Sequence, residues 1–130
     1  MTTTPAVSKA IEEIRETFAE TAVAFDEDGD GGAWVIVESV PLGEIYAQDE
    51  TWIGFQITFP YPEADVYPHF VRSDLCRMDG AALGEGFQPV TWGPRAELGI
   101  QLSRRSNRLD PALDTAATKL LKVLKWLNER

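Results

Sequence analysis

Val7, Ile11, Ile14, Phe18 and Ala22 follow one another at spacings of 4, 3, 4 and 4, a single apolar stripe that predicts a helix. Thr4-Pro5 supplies its cap and first-turn proline. The run D-E-D-G-D-G-G at 26–32 is expected to end this helix, because its glycines and aspartates favour turns. A β-branched strand is predicted at 33–40, with Trp34, Ile36 and Glu38 on one face and Val35, Val37 and Ser39 on the other. Pro41-Leu42-Gly43 breaks it, and strands are expected at Ile45-Tyr46, at 52–59 and at 66–72. In the second of these, Phe55, Ile57 and Phe59 alternate with Gln56 and Thr58, the pattern of a half-buried strand.

From 73 to 94 the periodicity fades among four glycines and two prolines, which predicts a long irregular segment. Leu98, Ile100 and Leu102 then alternate with Gly99 and Gln101 as a short extended piece. Asp110-Pro111 is expected to open a second helix, with Leu113, Ala117, Leu120, Leu124 and Leu127 on one face and Lys119, Lys122 and Lys125 largely on others. The sum is an α+β chain: an N-terminal helix, an antiparallel meander of about four strands, a long irregular segment and a C-terminal crossover helix, all within one domain spanning 1–130.

Composition narrows the function classes. At 130 residues and 44% hydrophobic content, the chain is long enough to bury a core without disulfides or metal. Its net charge of −9 repels nucleic-acid phosphates and anionic membranes, so neither is an expected partner. The lone Cys76 and the lack of an apolar leader favour a reducing, cytoplasmic setting. No apolar run has the length of a membrane span. Basic residues gather in the last third of the chain, from Arg95 to Arg130, while the rest is acidic.

The order of elements, together with F-x-I-x-F-P-Y-P at 55–62 and Val66-Tyr67-Pro68-His69-Phe70 after it, resembles the ubiquitin-conjugating enzyme superfamily. Ile100-Gln101-Leu102, eight residues before Leu109-Asp110-Pro111, is similar to the segment that carries the family's catalytic cysteine ahead of the W-x-P of its crossover helix. In that register Gln101 stands where the cysteine would be. A second register, with Trp92-Gly93-Pro94 on W-x-P, places Gly84 there instead. The spacing after Pro111 is helical and that after Pro94 is not, which favours the first register. The family's H-P-N element has no counterpart, the only histidine being His69 within a predicted strand. The resemblance implies a divergent, prokaryotic-type member that lacks the usual cysteine. It would act as a pseudoenzyme, by protein binding, on a ubiquitin-like protein or an activating enzyme.

Two alternatives stand beside that reading. In one, Cys76 is the thioester carrier: Arg72 and Arg77 favour its thiolate, although Asp74 and Asp79 oppose it and a lone cysteine is commonly an apolar filler. In the other, the chain is a scaffold or immunity-type binding domain whose likeness is architectural. Asp26, Asp28 and Asp30 with Gly31 match the start of a calcium loop, but its twelfth position is Val37 instead of a glutamate, so an acidic turn without a cofactor is the competing reading. Trp92, in the irregular segment, is a candidate partner anchor, and Arg104, Arg105 and Arg108 are candidates to grip a partner's carboxylate. No zinc ligand cluster, phosphate loop, dinucleotide fingerprint or Ser-His-Asp arrangement is present.

Overall fold

The computed structural model describes residues 2–93, 96–106 and 109–129. Helix α1 (Pro5–Thr17) begins where expected, with the Thr4 side chain accepting a hydrogen bond from the Val7 amide at 3.2 Å. It stops at Thr17, earlier than the apolar stripe suggested. The Phe18 amide still bonds to the Ile14 carbonyl, but Val23 and Phe25 belong to a strand, so the 26–32 run does not terminate a helix. It is the turn of a hairpin instead. Strand β1 (Val23–Glu27) pairs antiparallel with β2 (Ala33–Pro41), and the pairing supplies the hydrogen bonds that continued helix would have made locally.

β3 (Glu50–Ile57), β4 (His69–Arg72), β5 (Phe87–Trp92) and β6 (Glu97–Leu102) complete one six-stranded antiparallel sheet, in the order β1-β2-β3-β4-β6-β5. Strands β1 to β4 form the expected four-stranded meander, and β6 then pairs with β4 while β5 lies outside it. The added edge strand β5 lies inside the segment expected to be irregular. Pro89 within it masks the strand signal, yet at an edge the missing amide costs no ladder bond to a second neighbour. Ile45-Tyr46 is a turn with one isolated bridge, Tyr46 to Arg77, rather than a strand.

Residues Val35, Val37, Ile53, Phe55, Ile57, Val71, Ile100 and Leu102 share one sheet face, where they form a single core with Val7, Ile11 and Ile14 of α1. Helix α2 (Ala116–Asn128) adds Leu120, Val123 and Leu127 to it. This helix begins later than Asp110-Pro111. Residues 110–114 make a turn in which the Asp110 and Asp114 carboxylates accept backbone amides, and Thr115 and Thr118 form a reciprocal capping box. Leu113, left ahead of the cap, is exposed. The proline-rich turn after β3 helps to seat α2: the Tyr61 hydroxyl accepts the Ala116 amide at 3.0 Å. At the other end, the Tyr46 hydroxyl donates to the Leu127 carbonyl at 2.7 Å and Asn128 Oδ1 accepts the Gly43 amide at 2.7 Å. No helix among the described residues is long and apolar enough to cross a membrane.

Candidate functional site

After β6 the chain runs beside α2, from Trp126 at Arg104 to Lys119 at Ser106, and there the basic residues gather. Arg104 places its guanidinium 5.2 Å from the centre of the Trp126 ring, which itself stacks on Phe87. Arg105 lies 4.5 Å over the ring of Tyr67. Stacking on an aromatic face holds the planar guanidinium while leaving its N–H edge open to a partner. The phenol of Tyr67 is drawn to a lower pKa by its bonds to Ser103 and Arg105. Arg108 lies outside the described residues.

Beneath the arginines, Lys119 anchors the floor. Its ammonium donates to both oxygens of Asp65, at 3.2 and 3.1 Å, and to Ser106 Oγ at 3.0 Å. Ser106 donates its amide and hydroxyl to the same carboxylate, at 2.8 and 2.9 Å. Burial pushes the Asp65 carboxyl up, but the Ser106 amide, Lys119 and the Ser106 hydroxyl together outweigh it and hold the group below its ordinary range. The result is a fully bonded ionic pin joining the proline-rich loop, the segment after β6 and α2. It is not a nucleophile with a base, because the serine proton goes to a carboxylate that binds protons weakly.

Above the pin opens a cleft of about 440 Å³, lined by Arg104, Arg105, Ser106, Lys119, Lys122 and Asp114. Asp114 is engaged by the Asp110 amide and lies 3.5 Å from Lys122. The cleft therefore faces solvent with a surplus of positive charge, suited to carboxylates or other anions. Lys119 was expected on an outer helix face. Its spacing from Ala116 and Val123 puts it within the buried stripe instead, and a lysine at such a position was the sequence signal for this site.

The other candidates lie apart from the cleft. Gln101 is the penultimate residue of β6, paired with Phe70 on one side and Gln88 on the other, and its Nε2 donates to Ser103 Oγ at 3.2 Å. Cys76 is exposed, on the loop beyond β4. Gln48 holds its amide at 3.0 Å and brings Nε2 within 3.5 Å of its sulfur. Each neighbouring arginine is engaged by an aspartate, Arg72 by Asp74 and Arg77 by Asp79, so their charge is shared with carboxylates rather than given to the thiol alone. His69 is no candidate base: it is fully buried against Phe55, its ring nitrogens have no hydrogen-bond partner among the described residues, and burial first, then the charge of Lys119, lowers its pKa to about 3.

Asp26, Asp28 and Asp30 do not close around a common point. Asp26 is on β1, while Asp28 uses Oδ1 to accept the Asp30 and Gly32 amides, at 2.8 and 3.0 Å, and Oδ2 to accept from Gln56. Among the described residues, no group of three or more His, Cys, Asp and Glu side chains is arranged to hold a metal ion.

Trp92 is not an exposed anchor. It lies on the sheet face away from the helices, 6% exposed, stacked on Phe70 at 5.0 Å and Trp52 at 5.4 Å and tilted against Trp34 at 6.0 Å. Gly54 makes this arrangement possible, since a Cβ there would come within 2.1 Å of the indole. Compared with models of known protein families, with curated proteins and with solved structures, the chain matches none.

Proposed function

We propose that this chain is a ubiquitin-conjugating-like domain that acts by binding a protein partner of a ubiquitin-like conjugation pathway, without thioester transfer at the position of Gln101. The architectural part of this reading is supported by the helix, antiparallel sheet, helix order and by the F-x-I-x-F-P-Y-P strand and turn, whose Tyr61 caps α2. The observation that carries binding over transfer is Gln101 itself: a carboxamide on a strand paired along both edges, bonded to Ser103, cannot form a thioester. The basic cleft supplies the means of binding, through carboxylates on the partner.

The test is a calorimetric titration of the chain with a ubiquitin-like protein and with its activating enzyme, alongside a charging assay with ATP. We expect salt-sensitive binding to one of them, weakened at least tenfold in Arg104→Ala/Arg105→Ala, and no thiol-sensitive adduct. Absence of binding to both proteins refutes the reading.

A second reading rests on the exposure of Cys76. If charging does give an adduct and Cys76→Ser abolishes it, the chain is a thioester carrier through that residue and the binding-only reading is wrong.

A further inference from the structure

On the sheet face away from the helices, a cleft of about 120 Å³ opens between the β1-β2 hairpin and the start of the β5-β6 turn. Trp34 and Trp92 are its aromatic walls, Ile36 is part of its apolar lining, and Asp26, Glu38 and Glu97 bring three carboxylates to it. The register explains the meeting. Asp26 pairs with Trp34 and Glu97 with Trp92, and residues 34, 36 and 38 alternate onto the same face of β2. No lysine or arginine among the described residues lines this cleft. Trp92, although more than nine-tenths buried, has an indole N–H with no acceptor among the described residues.

We propose that this cleft takes the guanidinium of an arginine side chain presented by a partner polypeptide. The partly buried Trp34 indole attracts a planar cation through its π face, and carboxylates accept its N–H groups. The guanidinium suits the site better than an ammonium because it is planar and less strongly hydrated. The volume is that of a side chain and not of a folded element. A free amino acid is disfavoured, since its α-carboxylate would meet three negative charges, whereas in a peptide that group is an amide.

The experiment follows the indole N–H resonances of the full chain while Nα-acetyl-arginine methylamide is added. A saturable shift is expected, with the neutral citrulline analogue at least fivefold weaker and Glu38→Gln/Glu97→Gln at least tenfold weaker than wild type. Both glutamates are at the sheet surface, and dispersed amide spectra check that the double variant is folded. Equal affinity for the citrulline or lysine analogue overturns the guanidinium assignment, as does an unaffected double variant or no shift at all. Arg95, two residues after Gly93 in the chain, is tested by Arg95→Ala. Binding that appears only in that variant assigns the cleft to the chain's own side chain and overturns a partner occupant. These outcomes do not depend on Arg104 or Arg105, so they separate from those of the basic cleft.

Discussion

His69 makes the folded state sensitive to mild acid. It is the only histidine in the chain, and among side chains only histidine has an ordinary pKa in the window from pH 7 to 5. Its side chain is wholly buried beside Phe55, with no acceptor or donor for either nitrogen among the described residues. Burial is the main cause of the lowered pKa, the charge of Lys119 adds to it, and Asp65 pulls the other way, with a net value of about 3 against the ordinary 6.5. A depressed histidine stays neutral in the fold while the unfolded chain takes up a proton, so stability is full above pH 6.5 and falls as the pH drops toward 3.

At about 1.4 kcal/mol per unit well below the unfolded pKa, the loss from pH 7 to 5 is about 2 kcal/mol. With a urea dependence of about 2 kcal/mol per molar, the unfolding midpoint moves down by about 1 M. Urea unfolding followed by circular dichroism at pH 7, 6 and 5 measures it. His69→Leu should abolish the slope while leaving stability at pH 7 unchanged or higher, because it removes two unpaired nitrogens from the core. An imidazole that titrates near pH 6.5 in the native spectrum, or equal slopes for wild type and variant, refutes the reasoning.

Two further outcomes follow from the packing. Lys119→Met leaves the Asp65 carboxylate without its ammonium and should cost about 3 kcal/mol, with Asp65→Asn/Lys119→Met costing less than the two single changes added together. Urea midpoints check this, and a change under about 0.5 kcal/mol in each single variant would mark the pair as a solvated surface contact. Gly54→Ala drives a methyl into the Trp92 indole and should cost about 1 to 3 kcal/mol while altering the near-ultraviolet dichroism of the stacked rings. An unchanged aromatic spectrum would show that the ring does not lie over β3.

Much of the frame was legible from local pattern. The α1 stripe, the alternation at 33–40 and 55–57 and the burial of Leu120 and Leu127 are all consequences of period, and each appears in the fold. The failures share a cause. Ala22 continued the apolar spacing, but the end of α1 is set by the pairing of residues 23–27 with β2 across the hairpin turn, a contact that helical spacing does not report. β5 was missed because Pro89 and the flanking glycines are strand breakers everywhere except at an edge, and edge status is a property of the whole sheet.

The sites divide in the same way. That Gln101 cannot carry a thioester, that Cys76 is the only thiol and that the last third is basic all follow from residue identity and order, because they concern which chemical groups exist. Which groups meet did not. Asp65 lies 41 residues before Ser106 and 54 before Lys119, and the three were brought into one ionic pin only when α2 docked beside the proline-rich turn. Trp92 changed from an exposed anchor into the wall of an acidic cleft because Gly54, two strands away from β5's own partner, leaves room for its ring. Periodicity reports the face on which a side chain stands. The neighbour that it finds there is decided by sheet order and helix docking, which depend on contacts made far apart in the chain.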